Sequence, residues 1–288
     1  MRRLIALVMG SAISVMGMSL SKSVPLSSTQ IPSKTFRLSE TLPDSQNLPG
    51  QSSMIEGTRY VVIQTKGGSL FLGPILGSLN IASKTKALAE RLKGTFISVD
   101  PHAIAAGASK AKSVLAPNPG EAGIEIKPFV FLQSCYDEKY RLSLVFHLEE
   151  VSTKKDKWIG RFTYHLPITL NEEQLSNPSP EMLEAYSREM NEGANKLYDL
   201  IEKDLQGKLA SEDKPLKVGA LHLVGSKMAW QAPEKLSFPN CFLLEEREDA
   251  IVFRRQKALL DGTVLFGGLT FGVHFIKRNL VHTFELSK

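Results

Sequence analysis

One helix near the middle of the chain limits what everything around it can become. Ser179 is placed to cap it and Pro180 to open it. Leu183, Tyr186, Met190, Ala194, Leu197, Ile201 and Leu205 then recur at spacings of three and four. This helix, about residues 180–209, has one apolar stripe and a charged opposite face. A stripe of that kind must be buried against another layer, and the flanking sequence supplies strands for it.

Before the helix, Tyr60-Val61-Val62-Ile63 is a β-branched run and reads as a strand. Residues 78–93 carry Ile81, Leu88 and Leu92 on one helical face, and Gly94 is placed to stop that helix. Residues 95–99 read as a short strand. Asp100-Pro101 reads as a cap and first residue of an Ala-rich helix reaching Lys112. Three strands follow at 124–133, 140–150 and 158–167, the last two joined by the polar link 152–157. After Pro215 the chain reads as strand and turn, at 218–224, 242–246, 250–255, 264–266, 270–276 and 280–286.

The expected fold is therefore α+β. A domain of residues 57–210 has helices packed on a mixed or antiparallel sheet, and a small all-β unit of residues 215–288 follows. The alternative is that the late strands extend the first sheet.

The first residues read as an address. Arg2-Arg3 precede the uncharged stretch 4–18, and Ser19-Leu20-Ser21 is a small-x-small cleavage site. The stretch is shorter than the ~20 apolar residues a membrane helix needs, and glycines and serines dilute it. Residues 1–21 are thus expected to be a signal peptide, with cleavage near Ser21 and a periplasmic or secreted product. The mature chain has no transmembrane segment on this reading. Residues 22–56 contain eight Ser and four Pro, and their apolar residues have no period. They read as a disordered, flexible leader.

The formal charge of +5 falls to +3 once Arg2 and Arg3 are removed, and the basic residues form no concentrated face. That argues against a nucleic-acid partner. No sequence feature calls for a cofactor. The stretch Gly73-Pro-Ile-Leu-Gly77-Ser78 only imitates a phosphate loop, because Lys84 lies seven residues past Gly77. It reads as a tight turn feeding a helix. Adjacent acids such as Glu149-Glu150 and Glu245-Glu246 point to opposite faces of a strand and do not converge on one bond.

Six histidines raise the question of a metal, but none has close ligand spacing. His147 and His165 lie on the expected hairpin, where pairing of His147 near Arg161 or Phe162 separates the two by ~13 Å along the strands. His274 and His282 flank a turn at residues 277–279 and are the candidate functional residues. A three-residue loop would put them directly opposite each other. A two-residue loop at Arg278-Asn279 puts them on opposite faces and gathers Val273, Phe275, Leu280, His282 and Phe284 on one face, which is the register expected. Cys135 and Cys241 are the two cysteines. Export would let them pair in a disulfide closing a loop of about 106 residues. They read equally as two separate buried thiols.

These features lead to the expectation of an exported bacterial envelope protein that binds a protein or lipid component and is not a catalyst. A small-molecule or lipid binder, with a cavity between the long helix and its sheet, is the second reading. A hydrolase with dispersed catalytic residues, starting from His274 and His282, is the third.

Overall fold

The structure, a computed structural model, describes residues 23–31, 33–65, 73–110, 112, 122–135, 137–152, 157–209, 214–223, 237–256 and 271–286. The expected signal peptide of residues 1–21 and the expected strand at 264–266 lie outside them.

Three long strands form the centre: β4 (Ile124–Ser134), β5 (Tyr140–Glu150) and β6 (Ile159–Leu170). They pair antiparallel, β4 with β5 and β5 with β6. β3 (Tyr60–Ile63) and β1 (Phe36–Leu38) both run parallel to β4 along its other edge. β1 takes residues 124–126 and β3 takes residues 130–133, leaving a gap between them. Pro128 falls in that gap. The amide of Val130 donates to Arg59 and that of Ile124 to Thr35, so the even-numbered positions of β4 point to this edge. The N–H that proline lacks would have met no strand there. β2 (Ser53–Met54) pairs with β3 and ends the sheet on this side.

Helix α4 (Pro180–Leu205) lies on one face of these strands, as its stripe requires, and Ser179 caps it by accepting from the Met182 amide. Its buried residues include Tyr186, Met190, Ala194, Leu197 and Ile201, which pack with Leu144, Phe146 and Tyr164 of the sheet. Gly193 is the point of closest approach. A Cβ there would lie 2.6 Å from the Tyr164 ring, so this part of the helix–sheet interface is filled. Helix α2 (Pro101–Ser109), capped by Asp100, joins the same core, as do Leu88 and Leu92 at the end of α1 (Gly73–Arg91). The short α3 (Glu172–Ser176) carries a reciprocal capping box at Asn171 and Gln174.

The strands after Pro215 are β7 (Pro215–Ala220), β8 (Phe238–Glu246), β9 (Ala250–Arg255), β10 (Gly272–Lys277) and β11 (Val281–Leu286). They do not form a separate sheet. β10 pairs in parallel with β6, giving one eleven-stranded mixed sheet in the order β11-β7-β8-β9-β10-β6-β5-β4-β3-β2, with β1 beside β4. The fold is thus mixed α/β, and the extension of the first sheet is what forms. Sequence patterning marks strands but not which edges meet. β10 and β11 are also not a hairpin, since β11 pairs with β7. Lys277 and Val281 can be no more than ~15 Å apart along the chain. In a flat sheet four strand spacings, ~19 Å, would separate β10 from β11. The last five strands therefore curl, and their inner face encloses a core of its own that includes Leu216, Val218, Leu243, Phe253 and Ile276.

Two further expectations are corrected. Residues 95–99 are turns and bends rather than a strand. Their local bonds, Thr95 to Leu92 and Val99 to Phe96, fold the chain back into α2, with Gly94 at a positive φ of 88° ending the preceding turn. Residues 23–31 and 33–56 are not a disordered leader. They form a strap that adds β1 and β2 to the sheet and buries Leu26, Phe36 and Ile55 completely. An irregular segment can anchor itself with single apolar residues that show no period.

Candidate functional site

Along β5 and β6, apolar residues alternate with polar ones. Leu142, Leu144 and Phe146 face α4, as do Phe162, Tyr164 and Leu166. Arg141, Ser143 and His147, with Arg161, Thr163 and His165, therefore point to the opposite face. Such alternation normally marks a wetted surface. Here every one of these polar residues is buried. The strap supplies part of the cover, since Leu42 and Leu48 pack against Phe129, Phe131 and Val145 on this face. The curled late strands supply more.

The buried polar groups fall into two clusters. In the first, Lys127 Nζ donates to Glu149 at 2.6 Å and His147 Nε2 donates to the same carboxylate at 3.0 Å. Arg161 donates to the backbone carbonyl of Asn47 in the strap. Burial works against the charge on Glu149, but the bonds from His147 and Lys127 outweigh it and hold the carboxyl down at about 2. Burial also takes His147 down to about 4, so it stays neutral.

The second cluster lies where β6 meets β10. His165 Nδ1 is 2.9 Å from Ser143 Oγ, and His165 Nε2 is 3.1 Å from His274 Nδ1. The rings of His165 and His274 stack at 5.3 Å, and His274 stacks in turn on Phe253 of β9 at 4.9 Å. His222, in the turn after β7, sits edge-on to His165 at 5.1 Å. Its Nε2 donates to the Leu166 carbonyl, which leaves Nδ1 as an acceptor without a donor. Gln133 donates to the His222 carbonyl, and Cys135 Sγ donates to the Leu221 carbonyl at 3.2 Å. Burial first, and then a neighbouring imidazole (His274 beside His165, His165 beside His222), hold both His165 and His222 well below the usual histidine value.

This seam has a serine within hydrogen-bond reach of an imidazole, which is the first part of a nucleophilic arrangement. Its chemistry ends there. His165 is 0% and Ser143 2% exposed, and the group beyond His165 is a second imidazole rather than a carboxylate. Among the described residues, no three His, Cys, Asp or Glu side chains gather as they would around a metal ion. No described helix is long and apolar enough to cross a membrane.

Of the residues singled out in the sequence, His274 belongs to the seam, but His282 does not. His282 is exposed on β11, which pairs with β7 and not with β10. His147 pairs opposite Arg161, one of the two positions expected for the hairpin, and His165 lies opposite Ser143. The stretch from Gly73 is already helical in α1, with Pro74 in its first turn, so it forms no phosphate loop. Sequence reasoning missed His165 and His222 as partners of His274. The signal was their position on polar strand faces, which gives no hint that those faces are covered.

A surface cleft of about 420 Å³ opens elsewhere, between the start of α2, the turn before it and the strap. Glu40, Arg59, Asp100 and Ile97 line it. Arg59 donates to the Glu40 and Thr41 carbonyls, and Ile97 is 63% exposed.

The chain matches no family model, no curated protein and no solved structure. What it does must therefore be argued from this geometry.

Cys135 and Cys241 are both buried and are not joined to each other, the first lying in the seam and the second on β8. Desolvation raises their thiols to about 11 and about 12. Both are thus expected to resist alkylation in the native protein and to react fully in denaturant without reductant. Intact mass reads this directly. A pair that reacts in denaturant only after reduction would show a disulfide instead.

Proposed function

We propose that this chain is an exported protein of a bacterial cell envelope, which binds another envelope component, protein or lipid, and is not a catalyst. The placement of its reactive side chains carries the reading. Ser143, His165, His274, His147 and Lys127 are all buried under other parts of the chain, where they hold the fold together and no substrate reaches them. The cleft instead sets an exposed apolar residue, Ile97, among groups of both charges. That combination suits a contact surface with an apolar centre and a polar rim. The signal-like N-terminus supports export, with Lys22 as the first residue of the product.

Produced from its full reading frame in a bacterial host, the chain is expected in the periplasmic fraction at the mass of residues 22–288. An unprocessed chain in the cytoplasm would remove the export. The mature protein, immobilised, is expected to retain a component of an envelope extract and to lose it on Ile97→Asp. Retention of nothing, or equal retention by the variant, overturns binding through the cleft.

A further inference from the structure

The seam between β6 and β10 joins the first strands to the late ones, which share the core under α4 through Val252, Val273 and Phe275 and have a core of their own on the opposite face. The parallel pairing itself is short, with three residue pairs from Val273–Phe162 to Phe275–Tyr164. Buried imidazoles reinforce it on one side. His165 comes from β6, His274 from β10 and His222 from the turn after β7, so the first sheet and the late strands both contribute.

Water does not reach these rings, which are 0–1% exposed. Ser143 faces His165 from β5 and Phe253 faces His274 from β9, and neither carries charge, while the buried Arg255, two residues along the same face of β9, is a cation and offers no counter-charge. Thr163 of β6 and Gln133 of β4 are neutral, and the Cys135 thiol is kept protonated by burial. Among the described residues, the charged groups that act on His222 are Arg141 and Asp137. These two are already joined at 2.6 and 2.7 Å, so Asp137 is not available to balance a new positive charge. An imidazolium formed here would be buried without a counter-ion, which is among the most costly arrangements in a protein interior.

The geometry points to an acid-released latch: the seam of His165, His222 and His274 holds the late strands on β6 while its rings are neutral, and lets β10 leave β6 when they take up protons. Opening exposes the rings to water, where they titrate near the ordinary histidine value of about 6.5. The closed form binds these protons more weakly. Closure is therefore fully favoured above that value and is lost progressively as pH falls below it. Each histidine protonated only on opening adds one to the slope of the logarithm of the opening constant against falling pH. For His165 and His222 alone, opening is expected to rise on the order of fifty-fold between pH 6 and pH 5.

Hydrogen exchange on the full mature chain, read by mass spectrometry at pH 7 and pH 5 and corrected for intrinsic rates, tests this. Peptides covering β9 and β10 are expected to lose protection at least tenfold more than peptides covering α4 and β5. His222→Gln, which keeps the donor to the Leu166 carbonyl but cannot titrate, should reduce that loss about twenty-five-fold between pH 7 and pH 5. If protection falls equally in both regions, or in neither, the latch is wrong. If His222→Gln proves too unstable to compare, the wild-type contrast between β9–β10 and α4 decides by itself.

Discussion

A chain that starts at residue 57 is expected not to fold. The composition of residues 22–56 invites that truncation, since the segment is rich in Ser and Pro and lacks periodicity. The structure gives it work to do. Leu26, Phe36 and Ile55 are 0% exposed and Ile31 is 7% exposed. Burying side chains of this size contributes about 1.5–3 kcal/mol each, or about 6–12 kcal/mol for four. A domain of ordinary stability has only about 5–15 kcal/mol in total. Compactness of the unfolded chain lowers the first figure, but not enough to leave a comfortable margin. Truncation also strips β1 from β4 and uncovers Phe129 and Phe131 where Leu42 and Leu48 had packed. Circular dichroism with urea unfolding measures this. A fragment of residues 57–288 that unfolds cooperatively at the midpoint of the whole chain would show that the strap is decoration.

Asp204→Ala is expected to cost about 3–5 kcal/mol, the usual penalty for leaving one partner of a buried ion pair behind. Asp204 lies in the last turn of α4, where the helix dipole disfavours an acid. Its partners explain its presence. Oδ1 accepts from Arg254 of β9 at 2.7 Å and Oδ2 from the backbone amide of Leu26 at 3.0 Å. The two charged side chains are 2% and 4% exposed. One carboxylate thus ties together the long helix, the late strands and the strap. Replacing both charges, as Asp204→Leu with Arg254→Met, should cost much less than Asp204→Ala alone, because no charge is left unpaired. Urea midpoints of the three variants give the comparison. A double variant as unstable as the single one would mean that the carboxylate matters for its geometry rather than for its charge.

Elements set by local spacing were legible in the sequence. The stripe of α4, the caps at Asp100 and Ser179, and the alternation in β5 and β6 each follow from neighbours within a few residues. The position of the link between the strands placed His147 near Arg161 or Phe162, and Arg161 is its partner. What depends on distant pairing was not legible. Nothing near His274 announces that β10 will lie on β6, and a short turn after Lys277 looks like a hairpin whichever strand comes next. Burial of the polar faces of β5 and β6 had no local sign either, because their cover comes from the strap and from strands that lie more than 80 residues away on β9 and β10. Asp204 did leave a trace. It stands three residues after Ile201 and seven after Leu197, on the apolar stripe, where an acid needs a buried cation.

The candidate site shows the same division. Its residues are polar groups that alternation assigns to a solvent face, and long-range packing turns them into structure. On the proposed reading, binding falls to the surface, and to the cleft around Ile97 in particular. A photo-crosslinking residue placed at position 97 of the full chain in living bacteria tests this most directly, with position 184 on the exposed face of α4 as the control. The account predicts a discrete adduct with an envelope component from position 97 and none from position 184. Adducts of the same kind from both positions, or from neither, would contradict it.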